Sequence, residues 1–438
     1  MNTNACLFVL LFLAQFSLAV ESTADIHEND MMMANPAAVY CSQLGYEYKI
    51  VKDSSGEYGV CVFPDKTQCD EWRFLEGKCG QSYSYCAKQG YGIKTASDGK
   101  DPFSREYAVC MYGTTEVGSV SKLLSLSEKA AKAGATPISE TATEYPTTSS
   151  APTGLPSSFD WRNYKSGDWM TSVKDQGQCG SCWAFSAVGV AEAAHNIFEN
   201  NPNLDLDLSE EYLVSNCTTS GSCCGGSSAS ALSYIRNSGI PDELCLPYAD
   251  YYCSCSPPTC SSQCVYRTGG ACSNKACSDR CTDWATRLKN ISRTGALSSS
   301  PLSQIKQKLV EKGPISVAMC VGSSCGGYWD GDIYRCSIGG SPNHAVIITG
   351  YNDINATDGY WIIKNSWGAS WNGDGYFKLG YGECNLSYVY YGYKCNETGA
   401  QCNLNSTCCS GLCENGICAP LCGDGECTGN EICGVCNP

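Results

Sequence analysis

The chain has 438 residues, of which 43% are hydrophobic and 17% charged, with 34 cysteines and a formal net charge of −15. That length exceeds one ordinary domain, and the apolar fraction supports at least one real core. An acidic balance without long charge runs argues against nucleic acid or an anionic membrane as partner.

Met1 to Asn4, an apolar stretch over 5–19 and the polar Glu21-Ser22-Thr23 predict a secretory signal at residues 1–19, with Ser17 and Ala19 suiting the cleavage rule. No later stretch could cross a bilayer. A secretory route turns so many cysteines into a framework of cross-links. With Cys6 in the signal and Cys182 set aside, the other 32 fall as 6, 16 and 10 in three successive regions, each able to pair internally. Asn-x-Ser/Thr triplets at Asn216, Asn290, Asn355, Asn385, Asn396 and Asn405 are compatible with glycosylation on that route. The expected destination is the extracellular space or a lysosome-like vesicle.

Residues 20–134 form a cysteine-rich N-terminal region with an internal repeat: Tyr40-Cys41-x-x-x-Gly45-Tyr46 returns as Tyr85-Cys86-x-x-x-Gly90-Tyr91, and Gly59-Val60-Cys61 is echoed by Ala108-Val109-Cys110. Together with Asn35-Pro36-Ala37 and Cys69-Asp70-Glu71-Trp72, the stretch resembles a small secreted domain of haemolysin-like bacterial proteins. It carries no acid, base or metal cluster, which leaves a spacer, a propeptide or a module for a surface or matrix ligand. A short helix is expected from Ser119 to Ala133. Residues 135–154, rich in Ser, Thr and Pro, form the linker and the expected cleavage region.

Residues 155–393 combine helical patterning early with strand-like runs such as Ala345-Val346-Ile347-Ile348 later, predicting an α+β fold. The segment Gln176-Gly177-Gln178-Cys179-Gly180-Ser181-Cys182-Trp183 precedes a run of helical spacing, so Cys182 starts a helix. A thiol there faces unpaired backbone N–H groups and the positive end of the helix dipole, which favour thiolate. A thiolate nucleophile needs an imidazole, and the chain offers only His27, His195 and His344. His195 lies about 20 Å along the same helix, and His27 precedes the linker. His344, ahead of an apolar strand-like run, is left as the base.

Cys179-Gly180-Ser181-Cys182-Trp183 resembles the signature of papain-like cysteine peptidases. The likeness extends over Leu155-Pro156-Ser157-Ser158-Phe159-Asp160-Trp161-Arg162, Leu208-Ser209-Glu210-Glu211, Gly313-Pro314 and Gly373-Asp374-Gly375-Tyr376. It implies a two-lobed fold, one lobe helical and one β-barrel-like. It assigns Cys182 as nucleophile, His344 as base, Asn365 as the residue orienting that base, and Gln176 with the Cys182 N–H as oxyanion donors. By the same resemblance Trp367 shields the histidine–asparagine contact. Gly225 and Gly226 line the wall along which a substrate strand pairs. Ala318, Ala345 and Val389 form an apolar pocket for the second residue before the cut. Cys179 is expected to pair with Cys223 and Cys217 with a cysteine of an insertion.

His344 and Asn365 follow Cys182 by 162 and 183 residues, against roughly 130 to 150 in the family. Eight cysteines from Cys245 to Cys281 mark the insertion responsible. Because it holds no histidine, it lacks the familiar exopeptidase device, and endopeptidase action on protein or peptide substrates is expected. The rival reading is a catalytically silent adhesion protein, which would more naturally have lost the nucleophile. Even pairing and scarce histidine leave no expectation of a metal or other cofactor. The family's spaced helical propeptide pattern is missing, so residues 20–154 are expected to cover the cleft until proteolysis. The tail, 394–438, has a cysteine spacing similar to the cystine-knot miniproteins.

Overall fold

The computed structural model describes residues 33–126, 154–252, 264–265, 271–272, 275–297, 301–353, 359–403, 407–410 and 412–419. The expected signal, His27, nearly all of the linker, much of the insertion, Asn355, Asn405 and the last four cysteines lie outside the described residues.

Residues 33–126 build the same unit twice, each time from a short helix and a three-stranded antiparallel sheet. The helix Pro36–Gln43 precedes strands Glu47–Asp53, Gly56–Val62 and Gln68–Asp70; the helix Tyr85–Lys88 precedes Gly92–Ala96, Tyr107–Tyr112 and Thr115–Ser119. A disulfide ties each helix to a central strand, Cys41–Cys61 in the first copy and Cys86–Cys110 in the second. The first helix begins where its sequence dictates, because Pro36 needs no amide partner and the Asn35 Oδ1 accepts from the Ala37 and Ala38 amides at 3.0 and 3.4 Å. After Ser119 a helix spans Val120–Leu123, and the rest of the expected helix lies outside the described residues beyond Leu126.

The larger unit is α+β. Its helices Cys182–Phe198 and Ser228–Ser238 pack against a nine-stranded sheet, and Glu210–Val214 packs on the first of them; the strand His344–Asn352 sits centrally in the sheet, between Ile315–Met319 and Tyr360–Lys364. The long helix is almost wholly buried, consistent with its run of Ala, Val and Gly between the two layers. Cys245–Cys281 and Cys217–Cys277 tie the described ends of the insertion to each other and to the body. In the tail, Cys395–Cys409, Cys402–Cys413 and Cys408–Cys418 pair first with fourth, second with fifth and third with sixth.

One apolar core runs through both units. Trp72 of the N-terminal unit stacks on Trp367 at 5.9 Å between ring centroids and meets Trp371 at 6.1 Å, while Phe103 meets Trp367 edge-on at 6.3 Å. The N-terminal unit therefore sits on the rim of the larger unit, against the loop that follows Asn365.

Candidate active site

The loop before the long helix is fixed from several directions. Gly180 donates to the Cys223 carbonyl at 2.9 Å, and a Cys179–Cys223 disulfide closes the same contact. Gly177 sits at φ +57° with the Tyr251 carbonyl 2.5 Å from where a Cβ would lie, so only glycine fits that turn. The Tyr248 hydroxyl bonds both Ser181 Oγ, at 2.8 Å, and the Gln176 carbonyl, at 2.9 Å. The Gln176 amide N–H donates to the Ser366 carbonyl, and its side-chain Oε1 accepts from Ser366 Oγ at 2.7 Å. That contact orients the side-chain amide, leaving Nε2 to donate to the Cys179 carbonyl at 2.8 Å and to the Met33 carbonyl at 2.9 Å.

Cys182 is the first residue of the helix Cys182–Phe198, and it carries a thiol rather than a disulfide. The Ser181 side chain makes no capping bond. His344 opens its strand opposite Met319, and Asn365 follows the end of the neighbouring antiparallel strand, where Ile347 pairs with Lys364. Continuing that register sets His344 across from Trp367, and the two rings stack at 4.7 Å. His344 Nε2 meets Asn365 Oδ1 at 2.8 Å. With Nε2–H committed to the asparagine carbonyl oxygen, Nδ1 is the nitrogen open to proton exchange, and it makes no hydrogen bond among the described residues. Burial pulls the imidazole down to about 4, against the Asn365 contact. His195 lies in the same helix as Cys182, bonded through Nε2 to the Asn290 carbonyl at 3.0 Å.

Gly225 and Gly226 form a two-residue strand against Gly221 and Ser222. A Cβ on Gly226 would stand 2.5 Å from Trp183 Cε2, so the packed tryptophan requires glycine there. Ala318 and Ala345 pair directly across neighbouring strands, both buried. Ala318 pairs on its other side with Ser387, which puts Val389, also buried, two residues further along the third strand. Cys224 is disulfide-bonded too.

The sequence reading expected residues 20–154 to cover the cleft but did not single out the residues that enter it. The Met33 amide donates to the Asn343 carbonyl at 3.1 Å, the Met33 carbonyl accepts from Gln176, and the Asn35 amide donates to the Gly177 carbonyl at 2.9 Å. The chain thus passes between the two halves of the site just before its first helix. Asn35 Nδ2 donates to Glu71 Oε1 at 2.9 Å and to Asp175 Oδ1 at 3.0 Å, and the Tyr48 hydroxyl donates to Asp175 Oδ2 at 2.9 Å. Trp72 Nε1 donates to the Trp367 carbonyl at 2.9 Å. Glu71 and Asp175 are both fully buried, and burial drives both carboxyls upward. The one sequence signal for this contact is Asn35-Pro36, which marks where an extended segment turns into a helix.

The profile of the papain family cysteine proteases matches residues 155–394, and that of a domain of unknown function (DUF333) matches residues 32–78. Among curated proteins, the viral cathepsin of Adoxophyes honmai nucleopolyhedrovirus is 34% identical over 227 residues, covering 51% of this chain and 57% of that protein. Human cathepsin L2 is 34% identical over 235 residues, covering 51% and 60%. The chain thus spans about three fifths of the length of these relatives. Among solved structures, the digestive procathepsin L2 proteinase of Tenebrio molitor larval midgut is 28% identical, covering 54% of this chain and 68% of that one with a TM-score of 0.43.

Proposed function

The chain belongs to the papain family of cysteine proteases, and from that premise we propose that it is a thiol endopeptidase of the secretory pathway, made as a zymogen. Cys182 Sγ attacks the peptide carbonyl carbon after its proton passes to His344 Nδ1, and His344 returns that proton to the leaving amine. Asn365 holds Nε2–H so that Nδ1 faces the thiol, and Trp367 keeps water from that contact. Gln176 Nε2, with the Cys182 amide, stabilises the oxyanion of each tetrahedral intermediate. Water then releases the acyl group from Cys182. Gly225 and Gly226 line the path of the substrate strand, and Ala318, Ala345 and Val389 favour an apolar residue two before the cut.

The observation that carries this reading is the 2.8 Å bond from His344 Nε2 to Asn365 Oδ1, which leaves the opposite ring nitrogen to serve the thiol. The N-terminal unit supports the zymogen part, since Met33 bonds both Gln176 and Asn343. Dense disulfides, and the absence among the described residues of any helix able to cross a membrane, are compatible with the secretory route.

The test is a fluorogenic peptide with an apolar residue two before the cut, offered to protein freed of its N-terminal unit. Cleavage that a thiol-directed epoxide stops and Cys182→Ser abolishes is the expected result. A folded, uncovered protein that neither cleaves nor labels would hand the assignment to the adhesion reading. Release of terminal dipeptides alone from a long peptide would replace endopeptidase with exopeptidase action.

A further inference from the structure

Met33 is held as a substrate would be, not merely as a plug. Its carbonyl oxygen accepts from Gln176 Nε2 at 2.9 Å, the donor proposed above for the oxyanion. Its amide is fixed by the carbonyl of Asn343, the residue before the base. That carbonyl is itself rigid: the Asn343 amide bonds the Met319 carbonyl at 3.0 Å, and its side chain makes bonds of 2.9 and 3.0 Å to the Val321 amide and carbonyl. Two residues on, the Asn35 amide is tied to Gly177. These bonds fix the polarity of the strand and single out one carbonyl, that of Met33, as the one facing the oxyanion donor.

We infer that the Met33–Ala34 peptide bond is a processing site of this chain, cut by its own Cys182. The inference rests on the peptidase reading above. In the step, the thiolate adds to the Met33 carbonyl carbon and the C–N bond to Ala34 breaks. The Ala34 nitrogen takes the proton held at His344 Nδ1 and leaves as an amine. One water then hydrolyses the thioester, giving a Met33 carboxylate and restoring the thiol. No other reactant is needed. The sequence places Met32 two residues before that bond, a side chain of the apolar kind assigned to the Ala318 and Ala345 pocket.

The two sides of the bond are anchored unequally. Downstream, Asn35 caps a helix, bridges Glu71 and Asp175, and belongs to a unit stapled by Cys41–Cys61, Cys69–Cys79 and Cys86–Cys110. The leaving amine therefore stays in place after the cut, and recapture of the acyl group by Ala34 competes with water. The cut is accordingly expected to be slow and intramolecular.

The experiment uses the full chain, its Cys182 blocked reversibly with a methanethiosulfonate during purification and released by mild reductant. Intact mass and N-terminal sequencing follow the product with time, and the fluorogenic peptide is assayed on a portion freed of its N-terminal unit. The expected product begins at Ala34, at a first-order rate unchanged across about a hundredfold dilution. Cys182→Ala and Ala34→Pro remain intact at that bond, and Met32→Asp slows the cut by about tenfold or more. A portion that cleaves the peptide while the Met33–Ala34 bond stays whole, or is cut only in proportion to protein concentration, overturns this inference and spares the peptidase reading. Failure on both substrates overturns both.

Discussion

Two nitrogens of His344 have different jobs because their neighbours differ. Nε2 is committed to Asn365 Oδ1, so Asn365→Ala frees the ring to rotate and lowers kcat on the uncovered enzyme with little change in KM. On the proposed mechanism Gln176→Ala removes a donor to the oxyanion and is expected to cost about 10²–10³ in kcat, roughly 3–4 kcal/mol of barrier. Steady-state kinetics on the fluorogenic peptide check both. Cys182, His344, Asn365 and Gln176 could each be proposed from the sequence, since each lies in a short motif whose chemistry restricts the choice of side chain. The roles of Met33 and Asn343 were not legible: Met33 contributes its backbone amide and carbonyl and Asn343 a backbone carbonyl, which any residue type supplies. Glu71 was hidden for another reason, because a lone glutamate normally reads as a solvated surface group.

At the scale of elements, the glycines and cysteines carry most of the register. Gly226→Ala forces Trp183 or the Gly221 backbone, whose Cα is 2.8 Å from the new Cβ, to move, and overpacking of this kind costs about 1–3 kcal/mol. A lowered thermal midpoint, with weaker peptide binding, is the expected measurement. The helix starting at Cys182 and the strand starting at His344 could be read from periodicity. So could the place of the insertion, from the excess spacing between Cys182 and His344. The order of the strands could not, since it depends on pairings such as Ala318 with Ala345 and Ala318 with Ser387 that no local pattern encodes. The repeat in residues 40–110 was visible as sequence, but its meaning, a helix pinned to a sheet twice over, needed the pairing of Cys41 with Cys61 and Cys86 with Cys110.

Across the whole molecule, docking of the N-terminal unit is linked to pH through four buried groups. Glu71 and Asp175 face each other with Asn35 and Tyr48, and Glu57 accepts from the Asp175 amide; burial raises all three carboxyls. Tyr48 is driven upward as well and stays neutral. A carboxyl whose value is raised in the docked state binds its proton there more tightly, so its contribution is full at acid pH and fades as pH climbs through the docked value. His344 acts oppositely: held down to about 4 when covered, it favours the covered state at neutral pH and opposes it as pH falls from its ordinary 6.5 towards 4. Three carboxyls against one imidazole make the net effect a cover that loosens as pH rises above the acid range. The expected result is faster thiol labelling of Cys182 at alkaline than at mildly acid pH in uncut protein, relative to protein freed of its N-terminal unit, with Glu71→Gln flattening the alkaline limb. A profile that instead opens only in acid would show His344 dominating.

A cover that belongs to the same polypeptide does not dilute away. Hydrolysis of the Met33–Ala34 bond would leave Trp72, Phe103 and Asn35 joined through residues 127–153 to the surface they shield. The shield then competes with substrate at an effective concentration set by that connection, in the millimolar range for short connections, whatever the amount of protein present. Turning on such an enzyme fully takes a second severance, between residues 126 and 155, and dilution cannot stand in for it.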